Sequence, residues 1–221
     1  MTMDGINVGA NTEGIWSPRL IGIRETVEDL GKFLPPGDDW MPTVLVDGIF
    51  PADMPKVEPE QIGKNGMLVV GLGGDMMNGD ANKDLTATLM MLMAIKLKAK
   101  GMTFISTVWV SQMVKPEGEN EYLETLSEEE RRKYIYAQAR AHGRPADDPN
   151  RKERLMLLSV YFGGPDDGTK IAFADIKRDQ INPPTLHDWT LIDGGGENFF
   201  GRFPEAIYAG LKIAREVEAK Q

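Results

Sequence analysis

Apolar positions along the chain follow two periods, and the change from one to the other marks the elements. After Ser17-Pro18, the residues Leu20, Ile23, Val27, Leu30 and Leu34 recur at three-four spacing. That spacing puts them on one face of a helix. Ser17 is suited to cap it and Pro18 to begin it, while Pro35-Pro36-Gly37 ends it. Thr43 to Val46 and Met67 to Leu72 are short apolar runs of strand type, separated by a proline-containing connector.

Leu85 to Lys100 is the most apolar stretch. Leu85, Leu89, Leu92 and Met93 share one face, with Met90, Met91 and Ile95 beside it. The pattern predicts a helix covered on more than one side. Lys96, Lys98 and Lys100 crowd its end, where cations suit the helix dipole, and Gly101 stops it. Asn82 or Asp84 is placed to cap its start.

From Thr103 the chain becomes β-branched and aromatic, which predicts a strand over about 103–113. Ser127 with Glu130 three residues on forms a capping box that opens a polar helix. Two further strands, about 154–162 and 169–176, flank the turn sequence GGPDDG and read as a hairpin. Residues 180–203 carry Pro183-Pro184 and three consecutive glycines and read as loop. A last helix starts at Pro204, with Ile207, Leu211, Ala214 and Val217 on one face.

The expected fold class is therefore α+β. An antiparallel sheet of at least three strands is covered by the buried helix at about 85–100, with the N- and C-terminal helices at its flanks. Residues 1–16 are expected to form a flexible arm and residues 17–221 a single domain, in which 17–72 could stand apart as a small annex.

Composition narrows the function classes. A formal net charge of −9 disfavours non-specific binding to nucleic acid or to an anionic membrane. With no cysteine there is no disulfide, thiolate metal site or cysteine nucleophile. The longest apolar run is too short to span a bilayer, and the first residues lack a basic start and an apolar signal core. These features point to a cytoplasmic protein with no membrane partner.

The candidate chemistry is sparse. Gly71-Leu72-Gly73-Gly74 follows a strand, but the third glycine of a dinucleotide-binding turn would fall at Met76. No cofactor is implied. Asp80, Asn82 and Asp84 match the opening of a calcium loop, yet its sixth position is Leu85 and its twelfth Met91. Asp75, Asp80 and Asp84 remain the candidate ligands for a hard cation. His187 and Asp188 are neighbours whose side chains diverge in an extended chain, so alone they make no catalytic dyad. No catalytic residue emerges.

Two surfaces are candidates for interaction. Arg131, Arg132, Arg140, Arg144, Arg151 and Lys152 lie in a basic segment that ends at Arg154. It suits phosphate or an acidic partner, or it is a solvated face. Phe199, Phe200 and Phe203 lie beside flexible glycines. They either plug the last helix into the core or anchor a partner.

The order helix, KAKG, strand ending near Trp109, polar insertion, RKERLMLLSV and hairpin resembles small function-unassigned proteins encoded by bacteriophages and bacteria. The resemblance covers about residues 85–177. It implies a phage or prophage accessory protein, in a virion or an infected host, and carries over no catalytic residue. The first functional reading is a non-enzymatic binding or structural accessory protein that self-associates or takes a protein partner. The alternatives are a metal-dependent hydrolase or nuclease using the Asp75–Asp84 loop, and a nucleic-acid accessory protein using the 131–154 segment.

Overall fold

A computed structural model describes residues 16–34, 40–48, 67–72, 80–110, 118–141, 151–193 and 202–220. The chain forms two compact units. Of the described residues, those within 10–107 and 155–221 make one and those within 108–154 the other.

The larger unit is built on a six-stranded antiparallel sheet. Its strands are β1 (Thr43–Asp47), β2 (Leu68–Gly71), β3 (Gly101–Val110), β4 (Lys152–Tyr161), β5 (Gly168–Lys177) and β6 (Thr185–Asp193). By sequence, residues 108–110 of β3 and 152–154 of β4 are counted with the smaller unit. The spatial order is β2-β1-β3-β4-β5-β6. The apolar run at Thr43–Val46 thus becomes an inner strand, with Leu45 opposite Val69 on one side and Thr103 on the other. β1 and β2 extend the main sheet.

Alternation along the strands gives the sheet two apolar faces. Leu45, Ile105, Leu155, Leu157, Tyr161, Ala172 and Leu191 line the first. Helix α1 (Pro18–Gly31) lies on it through Leu20, Ile23 and Val27. Its Ser17 cap accepts a hydrogen bond from the Leu20 amide at 3.2 Å. Burying each of those three side chains contributes about 1.5–3 kcal/mol. Tertiary contact of this kind sets the stability of a 14-residue helix that carries glycines. Trp16, at the end of the expected arm, belongs to this core and meets Trp189 edge-on at 6.0 Å. Trp189 Nε1 in turn donates to Glu28 Oε1 at 2.8 Å, which ties β6 to α1. Thr103 and Ser159 share a buried hydrogen bond of 2.9 Å, so neither hydroxyl is left unsatisfied.

The alternate residues, among them Val44, Val46, Met102, Phe104, Leu158 and Val160, are buried on the second face. Helices α2 (Asp80–Lys96) and α5 (Phe203–Glu218) cover it. Phe203 meets Phe104 edge-on at 5.4 Å.

The strand β6 lies within 180–203, which the sequence pattern assigns to loop. The reason is a bulge. Asp175 pairs with His187, but Phe173 pairs with Thr190, so β6 carries one extra residue. Leu186, Trp189 and Leu191 pack against the core on one face, although their spacing breaks the period of two.

In the smaller unit, α3 (Glu119–Thr125) and α4 (Glu128–Ala141) lie between β3 and β4 in sequence. The capping box forms as the residues predict. The Ser127 amide donates to Glu130 Oε2 at 3.0 Å, and the Glu130 amide donates back to Ser127 Oγ at 3.4 Å. Tyr122 and Tyr134 meet edge-on at 5.3 Å, and Arg131 Nε donates to the Leu123 carbonyl at 3.1 Å.

Candidate functional site

The structure treats the two faces of α2 differently. Thr86, Ala87, Met90, Ala94 and Leu97 turn inward and are buried. Leu85, Leu89 and Leu92, on the opposite side, stay 59%, 40% and 53% exposed. The pattern predicts cover on more than one side, and among the described residues the chain supplies it on one. An exposed stripe of three leucines at i, i+4 and i+7 is unusual for a surface helix, whose apolar positions normally face the core. Lys96 continues the stripe at its C-terminal end, and Asp84 flanks its N-terminal end. Both are exposed. Ile213 and Val217 add exposed apolar surface on α5.

A second group of side chains converges on the edge strand. His187 Nδ1 lies 2.8 Å from Asp188 Oδ2, against the divergence expected of neighbours in an extended chain. The bulge overrides that expectation. Asp188 takes φ +52°, the left-handed region, and this turns its carboxylate back to the imidazole. Asp175, across the strand pair from His187, brings a third ligating atom, and all three lie within 4.8 Å of one another. An imidazole nitrogen with two carboxylates is a donor set suited to a borderline divalent cation. No spacing along the chain marks this group, because the three residues meet only through cross-strand register and a local break in that register.

The acidic candidates fall elsewhere. Asp80 begins α2 and Asp84 lies within it, where the Asp84 carbonyl accepts from Thr88 Oγ1 at 3.0 Å. Helical backbone thus replaces the loop that the Asp80, Asn82, Asp84 alternation would need, and Asp84 is a helical residue instead of a cap. Asp75 lies outside the described residues.

Of the basic segment, Arg131 is tied to the Leu123 carbonyl, Lys133 pairs with Glu129 at 2.7 Å, and Arg151 stacks over Trp109 at 4.7 Å. Lys152 is exposed at the start of β4. Arg144 and the side chains of Arg132 and Arg140 lie outside the described residues. Phe203 is buried in the core against Phe104, while Phe199 and Phe200 also fall outside what is described.

The fold and these sites define an antiparallel α+β protein. Compared with known proteins, the chain matches no family model, no curated protein and no solved structure. Among the described residues, no helix is long and apolar enough to cross a membrane.

Proposed function

We propose that the protein is a non-enzymatic binding module that self-associates, with α2 as the contact helix. The observation that supports this reading is the uncovered stripe Leu85, Leu89 and Leu92 on a helix whose other face is already buried. A second copy is the occupant whose charge fits. Asp84 lies near one end of the stripe and Lys96 at the other. Two α2 helices crossing antiparallel about a two-fold axis bring each Asp84 toward the partner's Lys96 and each leucine row onto its equivalent. Parallel pairing would set like charges together. The apolar contact supplies the association energy, and the charges select the direction.

Light scattering on the eluting protein tests this reading. The parent chain should run as a dimer, and Leu89→Lys with Leu92→Lys as a folded monomer with the parent's circular dichroism spectrum, because both leucines are exposed in the protomer; its melting temperature should fall only by the stabilisation that dimerisation adds, and so should no longer depend on protein concentration. The single changes Asp84→Lys and Lys96→Asp should each weaken the dimer, and the two together should restore it. A parent that stays monomeric, or a dimer indifferent to all four variants, overturns the proposal.

A further inference from the structure

The larger unit also carries a cleft of about 270 Å³ lined by Arg19, Ala99, Lys100, Phe162, Gly163, Leu211, Arg215 and Glu218. Three of its polar walls are cations and one is an acid, in a chain whose formal net charge is −9. Its cations come from three separate parts of the sequence: the first turn of α1, the turn after α2, and the last turn of α5. The tertiary fold alone brings them together.

Each arginine is held in place without being neutralised outright. Arg215 Nη1 donates to the Gly163 carbonyl at 3.1 Å, and its guanidinium lies 5.9 Å from the centre of the Phe162 ring. Both contacts orient the charge, and neither cancels it. Gly163 makes room for this arrangement. Its φ is +73°, and a Cβ there would meet Arg215 Nη1. Arg19 stacks over the Tyr161 ring at 4.6 Å and reaches Asp47 only at 3.9 Å. Burial pushes the Tyr161 phenol well above its ordinary range, and the nearby Asp47 pushes it the same way, while Arg19 opposes. The phenol therefore stays neutral and gives Arg19 no counter-charge of its own. Phe162, Leu211 and Ala99 supply the apolar part of the lining.

We propose that this cleft binds a small organic oxyanion, a carboxylate or phosphate carried on an apolar body. Guanidinium groups held by a carbonyl and by aromatic faces are pre-organised for forked hydrogen bonds to such an oxyanion. At about 270 Å³ the cleft is larger than a bare inorganic oxyanion fills. The apolar wall is where the remainder of the ligand rests. This inference stands on different residues from the self-association surface and does not depend on it.

Amide chemical shifts of the intact protein at low ionic strength, titrated separately with phenyl phosphate, benzoate and inorganic phosphate, test the proposal. Saturable shifts centred on Lys100, Gly163 and Leu211 are expected with phenyl phosphate, with benzoate, or with both. Which of the two binds tighter assigns the headgroup. Inorganic phosphate should bind at least about tenfold more weakly, since it cannot use the apolar wall. Arg215→Ala and Lys100→Ala should each weaken the better organic ligand by about tenfold or more while the remaining spectrum stays folded. Absence of saturation with both organic probes overturns the proposal. So do shifts centred elsewhere, affinity unchanged in both variants, or inorganic phosphate binding as tightly as the organic probes.

Discussion

Gly210 of α5 packs directly on the backbone of Met91 in α2: a Cβ at Gly210 would lie 2.7 Å from the Met91 carbonyl oxygen and 2.9 Å from its Cα. The obstacle is main chain, which cannot swing aside as a side chain can. Ala94 Cβ, at 3.1 Å, closes the remaining direction. The two helices that cover the second sheet face therefore approach as closely as they do because position 210 has no side chain.

Gly210→Ala should consequently destabilise the protein. Alanine gains about 1 kcal/mol over glycine inside a helix, but overpacking against a fixed neighbour costs about 1–3 kcal/mol. The clash wins, and thermal unfolding followed by circular dichroism should show a lowered midpoint. A raised midpoint would mean that α5 can slide along α2 at no cost.

The bulge at Asp188 makes a prediction of opposite form. A non-glycine residue at φ +52° carries strain, which aspartate tolerates better than a β-branched residue. Asp188→Val should cost about 1–2 kcal/mol by denaturant unfolding. In Asp188→Gly the relief of strain and the greater freedom of the unfolded chain nearly cancel, so stability should stay within about 0.5 kcal/mol of the parent. Equal effects of the two substitutions would show that the left-handed conformation is not what the position requires.

The capping box of α4 predicts a pH dependence. Hydrogen bonds from the Ser127 side chain and then its amide hold the Glu130 carboxyl below its ordinary pKa. Because the folded value is depressed, this contribution to helix stability is fully present above the ordinary carboxylate pKa. It is lost as pH falls from there through the lowered folded value. The Glu130 side-chain carbon should titrate below an unperturbed glutamate by NMR, and Ser127→Ala should return it toward the ordinary range. An unchanged midpoint in that variant would remove the box as the cause.

Much of the fold is legible where local chemistry and tertiary packing agree. Ser17-Pro18 begins α1 as a cap and first helical residue should, and GGPDDG joins β4 to β5. The apolar runs at 43–46, 67–72 and about 103–113 give strands at Thr43–Asp47, Leu68–Gly71 and Gly101–Val110, with 111–113 outside the described residues. The strand β6 was hidden because one extra residue shifts the phase between Leu186 and Trp189, and a period of two cannot be followed across that break. Of the sites, the leucine row of α2 is written in its spacing, although the letters alone do not say which face the chain itself covers.

What residue order determined by itself is local: helix caps, turn positions, the amphipathic stripes, and a chain with no thiol chemistry. These depend on neighbours a few positions apart, whose geometry the backbone dictates. Tertiary structure alone decided the rest. It left Leu85, Leu89 and Leu92 outside while Met90 and Ala94 went in. It also brought Arg19, Lys100 and Arg215 to one cleft and Asp175 to His187. Those relations join residues far apart in sequence, and the register of paired strands and the packing of helices on a sheet face set their distances.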